Sequence, residues 1–116
     1  MITYDLTIKK FEENAVCSIK LQTEFLINHI KIIESVIFIT IRNGNFGIFS
    51  YNDGGLYLIK LVNICEDPSL SIDFIKKTSE GFFITLFSEE DCFNLSINNN
   101  LDRILKFKLV ISENFK

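Results

Sequence analysis

From its second residue the chain alternates apolar and polar positions. Ile2, Tyr4, Leu6 and Ile8 fall on one side of an extended segment; Cys17, Ile19, Leu21 and Thr23 fall on one side of the next, opposite Ser18, Lys20, Gln22 and Glu24. A period of two is the pattern of a half-buried β-strand. It recurs over residues 35–42, 46–51, 56–64, 70–77, 82–88, 92–97 and 103–112. This pattern predicts an all-β fold, an antiparallel β-sandwich or flattened barrel of about eight to nine strands. Residues 23–35, TEFLINHIKIIES, read two ways. As one short helix, Phe25, Leu26, His29, Ile30 and Ile33 form a stripe and Thr23 caps the first turn. Alternatively the segment is strand, turn at Asn28-His29, and strand.

Four of the five glycines lie in RNGNFGIFSYNDGG, residues 42–55. A phosphate-binding loop must open a helix, whose free N–H groups hold the anion. Here IFSY follows Gly47 and LYLIKL follows Gly55, and neither is helical in pattern. Hairpins fit better. Asn43-Gly44 predicts a two-residue type I′ loop that sets Arg42 against Asn45, Ile41 against Phe46 and Ile39 against Ile48. A second turn at Asn52-Asp53-Gly54-Gly55 adds Ile59 and Leu61 to the same face. Phe38, Thr40, Phe49, Tyr51, Leu56, Leu58 and Lys60 then share the other face, which is too apolar to be left in water. Its cover is expected from the chain itself, from a partner, or from a second copy in a homodimer.

With 116 residues, one proline and 47% apolar composition, residues 1–116 are expected to form a single all-β domain with no linker or tail. MITYDLTIKKF lacks the apolar core of a signal peptide, and no uncharged run is long enough to span a bilayer. A cytoplasmic protein with no membrane partner is expected. The three cysteines, Cys17, Cys65 and Cys92, are widely spaced and expected to be reduced core residues rather than metal ligands. The triplet Asn94-Leu95-Ser96, which matches a glycosylation acceptor, falls inside a predicted strand. Heavy use of Ile, Phe, Asn and Lys has the bias of an AT-rich bacterial or phage genome.

Candidate chemistry is sparse. Nucleophilic catalysis needs a base beside its Ser or Cys, and the only histidine is His29, whose expected place is in packing. Glu89, Glu90 and Asp91 lack the spacing of a calcium loop, and no cofactor or metal is expected. A net charge of −3 argues against nucleic acid, although GFFITLF at 81–87 with Lys106 and Lys108 supplies fragments of a stacking surface. Strand parity points elsewhere. If strands run alternately up and down, the turns holding Glu12 and Glu13, Asn43 and Gly44, Glu66 and Asp67, and Glu89, Glu90 and Asp91 share one end. Seven of the 15 carboxylates would gather there. A helix at 23–35 would move Glu12 and Glu13 away. The opposite end would hold Asn28, His29, Asp53, Lys76, Lys77, Glu80 and Asp102.

The expected function is therefore that of a non-enzymatic protein-binding module. Its sharper form is an acidic stoichiometric inhibitor of the immunity or anti-defence type, covering a basic site on a partner protein such as a nuclease. The expected partner-binding residues are Phe49, Tyr51 and Leu56 with Glu66, Asp67, Glu89, Glu90 and Asp91. The alternative is a structural or accessory subunit that self-associates through the apolar sheet face bearing Phe38, Phe49 and Leu58.

Overall fold

The computed structural model describes residues 1–10, 15–24, 26–52 and 55–109. Among these residues ten strands follow one another: β1 (Ile2–Lys10), β2 (Ala15–Thr23), β3 (Ile27–Ile33), β4 (Val36–Ile41), β5 (Asn45–Asn52), β6 (Gly55–Asn63), β7 (Ser71–Thr78), β8 (Gly81–Phe87), β9 (Cys92–Asn98) and β10 (Ile104–Leu109). Every pairing is antiparallel, in a β1–β2 hairpin, a sheet ordered β3-β4-β5-β6 and a sheet ordered β10-β9-β8-β7. The fold is all-β, a sandwich with one strand more than the nine that alternation locates.

The extra strand is β3, and no helix occurs among the described residues. Four of its seven residues are isoleucine, whose branched Cβ suits a pleated surface better than a helix. Asn28-His29 is not a turn either. A bulge between Ile27 and His29 lets the strand run on with Ile30 opposite Ile39 and Ile33 opposite Val36.

The glycine-rich segment is a β4–β5 hairpin, but not in the type I′ register. Its last pair is Thr40 with Phe46, and Phe38 lies opposite Ile48. Gly44 N donates to Ile41 O at 2.9 Å, so a four-residue turn ends in Gly44, at φ 85°, while Asn43 stays at negative φ. A type I turn closed by a left-handed glycine makes a three-residue loop. Gly44 O in turn accepts the N–H groups of Ile64 and Cys65, and a Cβ there would overlap the Cys65 carbonyl. Tertiary packing thus selects the loop length. The slip of one residue turns every side chain over. The expected face of Phe38 with Phe49 and Leu58 does not exist: Phe38 points with Phe46 and Ile48 into one core, and Phe49 lies against the other. In the next hairpin Asn52 pairs with Gly55, while Asp53 and Gly54 lie outside the described residues. A bulge between Ile48 and Phe49 shifts β6 further, leaving Leu58, Ile59 and Leu61 exposed on an edge strand rather than in the core.

Two cores result, on opposite faces of one sheet. The larger lies between the two four-stranded sheets and includes Phe38, Phe46, Ile48, Ile84, Leu86 and Leu95. The smaller lies between the β3–β6 sheet and the β1–β2 hairpin, where Leu6 and Leu21 meet Ile37, Ile39, Ile41 and Tyr51. Each such side chain contributes about 1.5–3 kcal/mol through burial. Polar bonds fasten the seams. Ile27 N donates to Tyr4 Oη at 3.0 Å, and Ile72 N to His29 Nδ1 at 3.1 Å. Asn28 Nδ2 donates to the carbonyls of Pro68 and Leu70. Across the molecule, Lys60 Nζ donates to Asp102 O and Lys106 Nζ to Ile64 O, joining β6 and its exit to the β9–β10 side.

Candidate interaction surfaces

The loops leaving β6 and β8 meet at one end of the sandwich. Asp67 joins them: its Oδ1 accepts Ser69 N at 2.8 Å and Ser69 Oγ at 2.7 Å, and its Oδ2 accepts Glu89 N at 2.8 Å. The Ser69 hydroxyl, the Ser69 N–H and the Glu89 N–H, in that order, hold the Asp67 carboxyl below the ordinary carboxylate range. The β8–β9 turn is closed by Ser88 N donating to Asp91 O and Asp91 N donating to Ser88 Oγ. Glu66, Asp67, Glu89, Glu90 and Asp91 are therefore brought together. Two of the five carry structural duties, Asp67 in the loop junction and Asp91 in an ion pair with Lys108 at 3.3 Å. Glu66, Glu89 and Glu90 remain exposed. Glu12 and Glu13 lie outside the described residues. Asn28 and His29 are on the acidic side rather than the opposite end, because β3 begins beside Pro68 and Leu70.

Phe49, Tyr51 and Leu56 are in a different place. Tyr51 is buried in the smaller core, with Phe49 and Leu56 half-buried against it. The chain covers this face with its own β1–β2 hairpin. The structure does not join these residues to the acidic loops.

A surface not anticipated from the sequence lies on the outside of the β10-β9-β8-β7 sheet. Pairing puts Leu105, Ser96, Phe83 and Lys76 in one row, then Phe107, Asn94, Thr85 and Phe74, then Leu109, Cys92, Phe87 and Ser71. Phe74, Phe83, Phe87, Leu105, Phe107 and Leu109 are all exposed, from 37% for Phe83 to 55% for Phe107. The signal for this face was present in GFFITLF, where Phe83 and Phe87 alternate with Phe82, Ile84 and Leu86, and in the apolar alternation of β10. Lys106 and Lys108, which seemed to belong with those phenylalanines, point to the other side of the sheet: Lys106 Nζ lies 5.9 Å from the Phe93 ring centroid and Lys108 pairs with Asp91. At one end of the face an open hollow of about 380 Å³ is lined by Phe83, Ser96 and Leu105, with Glu80 and Arg103 also contributing.

The histidine and the cysteines stand apart in the fold. His29 Nδ1 is committed to the Ile72 N–H. No group of three or more metal-ligating side chains is found among the described residues. Cys65 packs partly buried at the larger core, whereas Cys92 sits half-buried in the outer face of β9. Burial first, and the Asp73 carboxylate second, push the Cys92 thiol up from its ordinary range. No helix among the described residues is long and apolar enough to cross a membrane. Compared with known families, with curated proteins and with solved structures, the chain matches none.

Proposed function

We propose that the protein is a non-enzymatic protein-binding module, an acidic stoichiometric inhibitor of the immunity or anti-defence type that covers a basic site on a partner such as a nuclease. The observation that carries this reading is the Asp67–Glu89 bond, which holds two acidic loops from separate hairpins at one end. Glu66, Glu89 and Glu90 present their charge there without an ion-pair partner among the described residues, so a basic partner finds a fixed array. Such an array speeds encounter and makes it salt-dependent. Affinity capture from host lysate at low and moderate salt, with Glu89→Lys/Glu90→Lys as the control, tests it. A basic protein recovered one-to-one by the native chain, released by salt and lost in the variant, is the expected result. Retention of the same partner by the variant would remove the acidic loops from the interface.

A second reading, an accessory subunit that self-associates through an apolar sheet face, loses the face expected to bear Phe38, Phe49 and Leu58 and rests instead on a different one. The outer side of the β10-β9-β8-β7 sheet exposes six large apolar side chains.

A further inference from the structure

We infer, resting on the self-association reading above, that the outer face of the β10-β9-β8-β7 sheet is a homodimer interface, in which two copies of the chain pack sheet on sheet across a two-fold axis. The face has the composition of an interface centre rather than of a wet sheet. Its outward positions include Phe74, Phe83, Phe87, Leu105, Phe107 and Leu109, and its charged side chains in and beside the three cross-strand rows are confined to β7, Lys76 and the bulge residue Asp73. A solvated antiparallel sheet alternates apolar-in with polar-out, whereas the centres of interfaces are depleted of charge. The β3–β6 sheet, apolar on both sides in the same way, has its second face covered by the β1–β2 hairpin.

Area, charge and shape favour a second copy over an unrelated protein. Side chains of about 200 Å² apiece, each near half exposure, offer on the order of 600 Å² of apolar surface over the six positions. A stable interface takes about 800 Å² from each partner, of which about 500 Å² is apolar. The face therefore supplies what a dimer needs without contributions from elsewhere. Its few charges, Asp73 and Lys76 on β7 and Glu80 and Arg103 at the hollow, lie at its margins with both signs mixed and so steer no partner of one sign, and the chain's net charge of −3 sets only a weak repulsion between copies.

Shape is self-complementary. Outward side chains of β10 (Leu105, Phe107, Leu109) and β8 (Phe83, Phe87) form two ridges, and those of β9 (Cys92, Asn94, Ser96) form the low valley between them. Thr85 Oγ1 donates to Asn94 Oδ1 at 3.1 Å, so the polar centre of the valley is partly satisfied within the sheet. A two-fold axis parallel to the strands, between β8 and β9, places the β8 ridge of each copy over the β9 valley of the other. The same axis sets β10 over β7, where Phe74 stands. Residues of one patch then contact the same patch in the copy, as a closed dimer requires. The acidic loops lie beyond the strand ends and stay free.

Sedimentation velocity on the native chain from 1 to about 100 µM tests the inference, paired with mass-spectrometric timing of Cys92 alkylation over the same range; that ceiling covers interfaces of ordinary strength. Expected are a concentration-dependent shift from monomer to dimer mass and an alkylation rate at Cys92 that rises at least fivefold on dilution. Phe83→Glu/Phe107→Glu, at two exposed positions outside both cores, should weaken the dimer about thirtyfold or more while keeping the native far-UV spectrum. Glu89→Lys/Glu90→Lys should leave it unchanged, so that loss of the acidic-loop reading and loss of this one are told apart. A native chain that stays monomeric at the highest concentration overturns the inference. If Cys92 is nonetheless protected in that monomer, the chain's own residues 110–116 become the occupant. A dimer that survives Phe83→Glu/Phe107→Glu with the fold intact places the interface elsewhere and also overturns it. Should that variant fail to fold, the native chain's mass and Cys92 timing decide alone.

Discussion

Thr40 is fully buried on β4, and its hydroxyl has no hydrogen-bond partner among the described residues. Burying such a group without a partner costs free energy that a methyl of the same shape does not. Thr40→Val is expected to raise stability by about 1 kcal/mol, read as a higher urea midpoint at unchanged slope. Destabilisation of similar size would mean that the hydroxyl is bonded after all. Leu101 shows the opposite balance. It adopts φ 62°, a left-handed conformation costing a leucine about 1–2 kcal/mol, yet its side chain is buried in the larger core. Burial worth about 1.5–3 kcal/mol offsets the strain. The Asn98 side-chain oxygen completes that turn by accepting the N–H groups of Asp102 and Arg103, and the strained residue is the leucine that follows the asparagines.

Among elements, the loop after β6 and the turn after β8 are coupled through one carboxylate, and this coupling has a pH signature. The Asp67 carboxyl titrates below its ordinary value in the folded chain because Ser69 and Glu89 donate to its charged form. A depressed folded value means that the unfolded chain takes up the proton first as pH falls. The stabilising contribution is thus present above the ordinary carboxylate range and lost as pH drops through the folded value. Native protein should therefore be more stable than Asp67→Asn near neutral pH, and the gap should close in acid. A gap constant down to pH 2 would show that the charge does not matter to the junction. Strand positions were legible because period-two alternation is a local property, and nine of the ten strands stand where it puts them. Register was not. The hairpin at Asn43-Gly44 has two admissible loop lengths, and the choice depends on Ile64 and Cys65 bonding to Gly44 O, some twenty residues downstream. The extra strand, β3, was ambiguous for a related reason: four apolar residues and His29, spaced at 25, 26, 29, 30 and 33, satisfy a helical stripe, and only pairing with β4 decides for strand. The acid-loop junction was half legible, since parity brought the two loops together but gave no hint that Asp67 is bonded to Glu89.

At the scale of the whole molecule, the β3–β6 sheet is the member on which everything else rests. It carries the larger core on one face and the smaller on the other, and its inner strands β4 and β5 are paired on both sides. The β1–β2 hairpin has a single neighbour layer, reached through Leu6, Leu21 and the Tyr4–Ile27 bond. Such an arrangement predicts a graded order of opening, in which elements with fewer buried contacts open at lower free energy than the central strands. Native-state hydrogen exchange should find the β4 amides of Ile37 to Ile41 slowest and those of β1 and β2 fast, with β10 and the exposed edge β6 between. Leu21→Ala then separates two possibilities. Leu21 is buried in the smaller core, so truncation should cost about 2–5 kcal/mol. If the hairpin opens by itself, exchange in β1 and β2 accelerates while β8 and β9 keep their rates. Equal acceleration of β1, β2, β8 and β9 would instead show that the hairpin and the distant sheet unfold as one unit, with the shared sheet transmitting the loss from one core to the other.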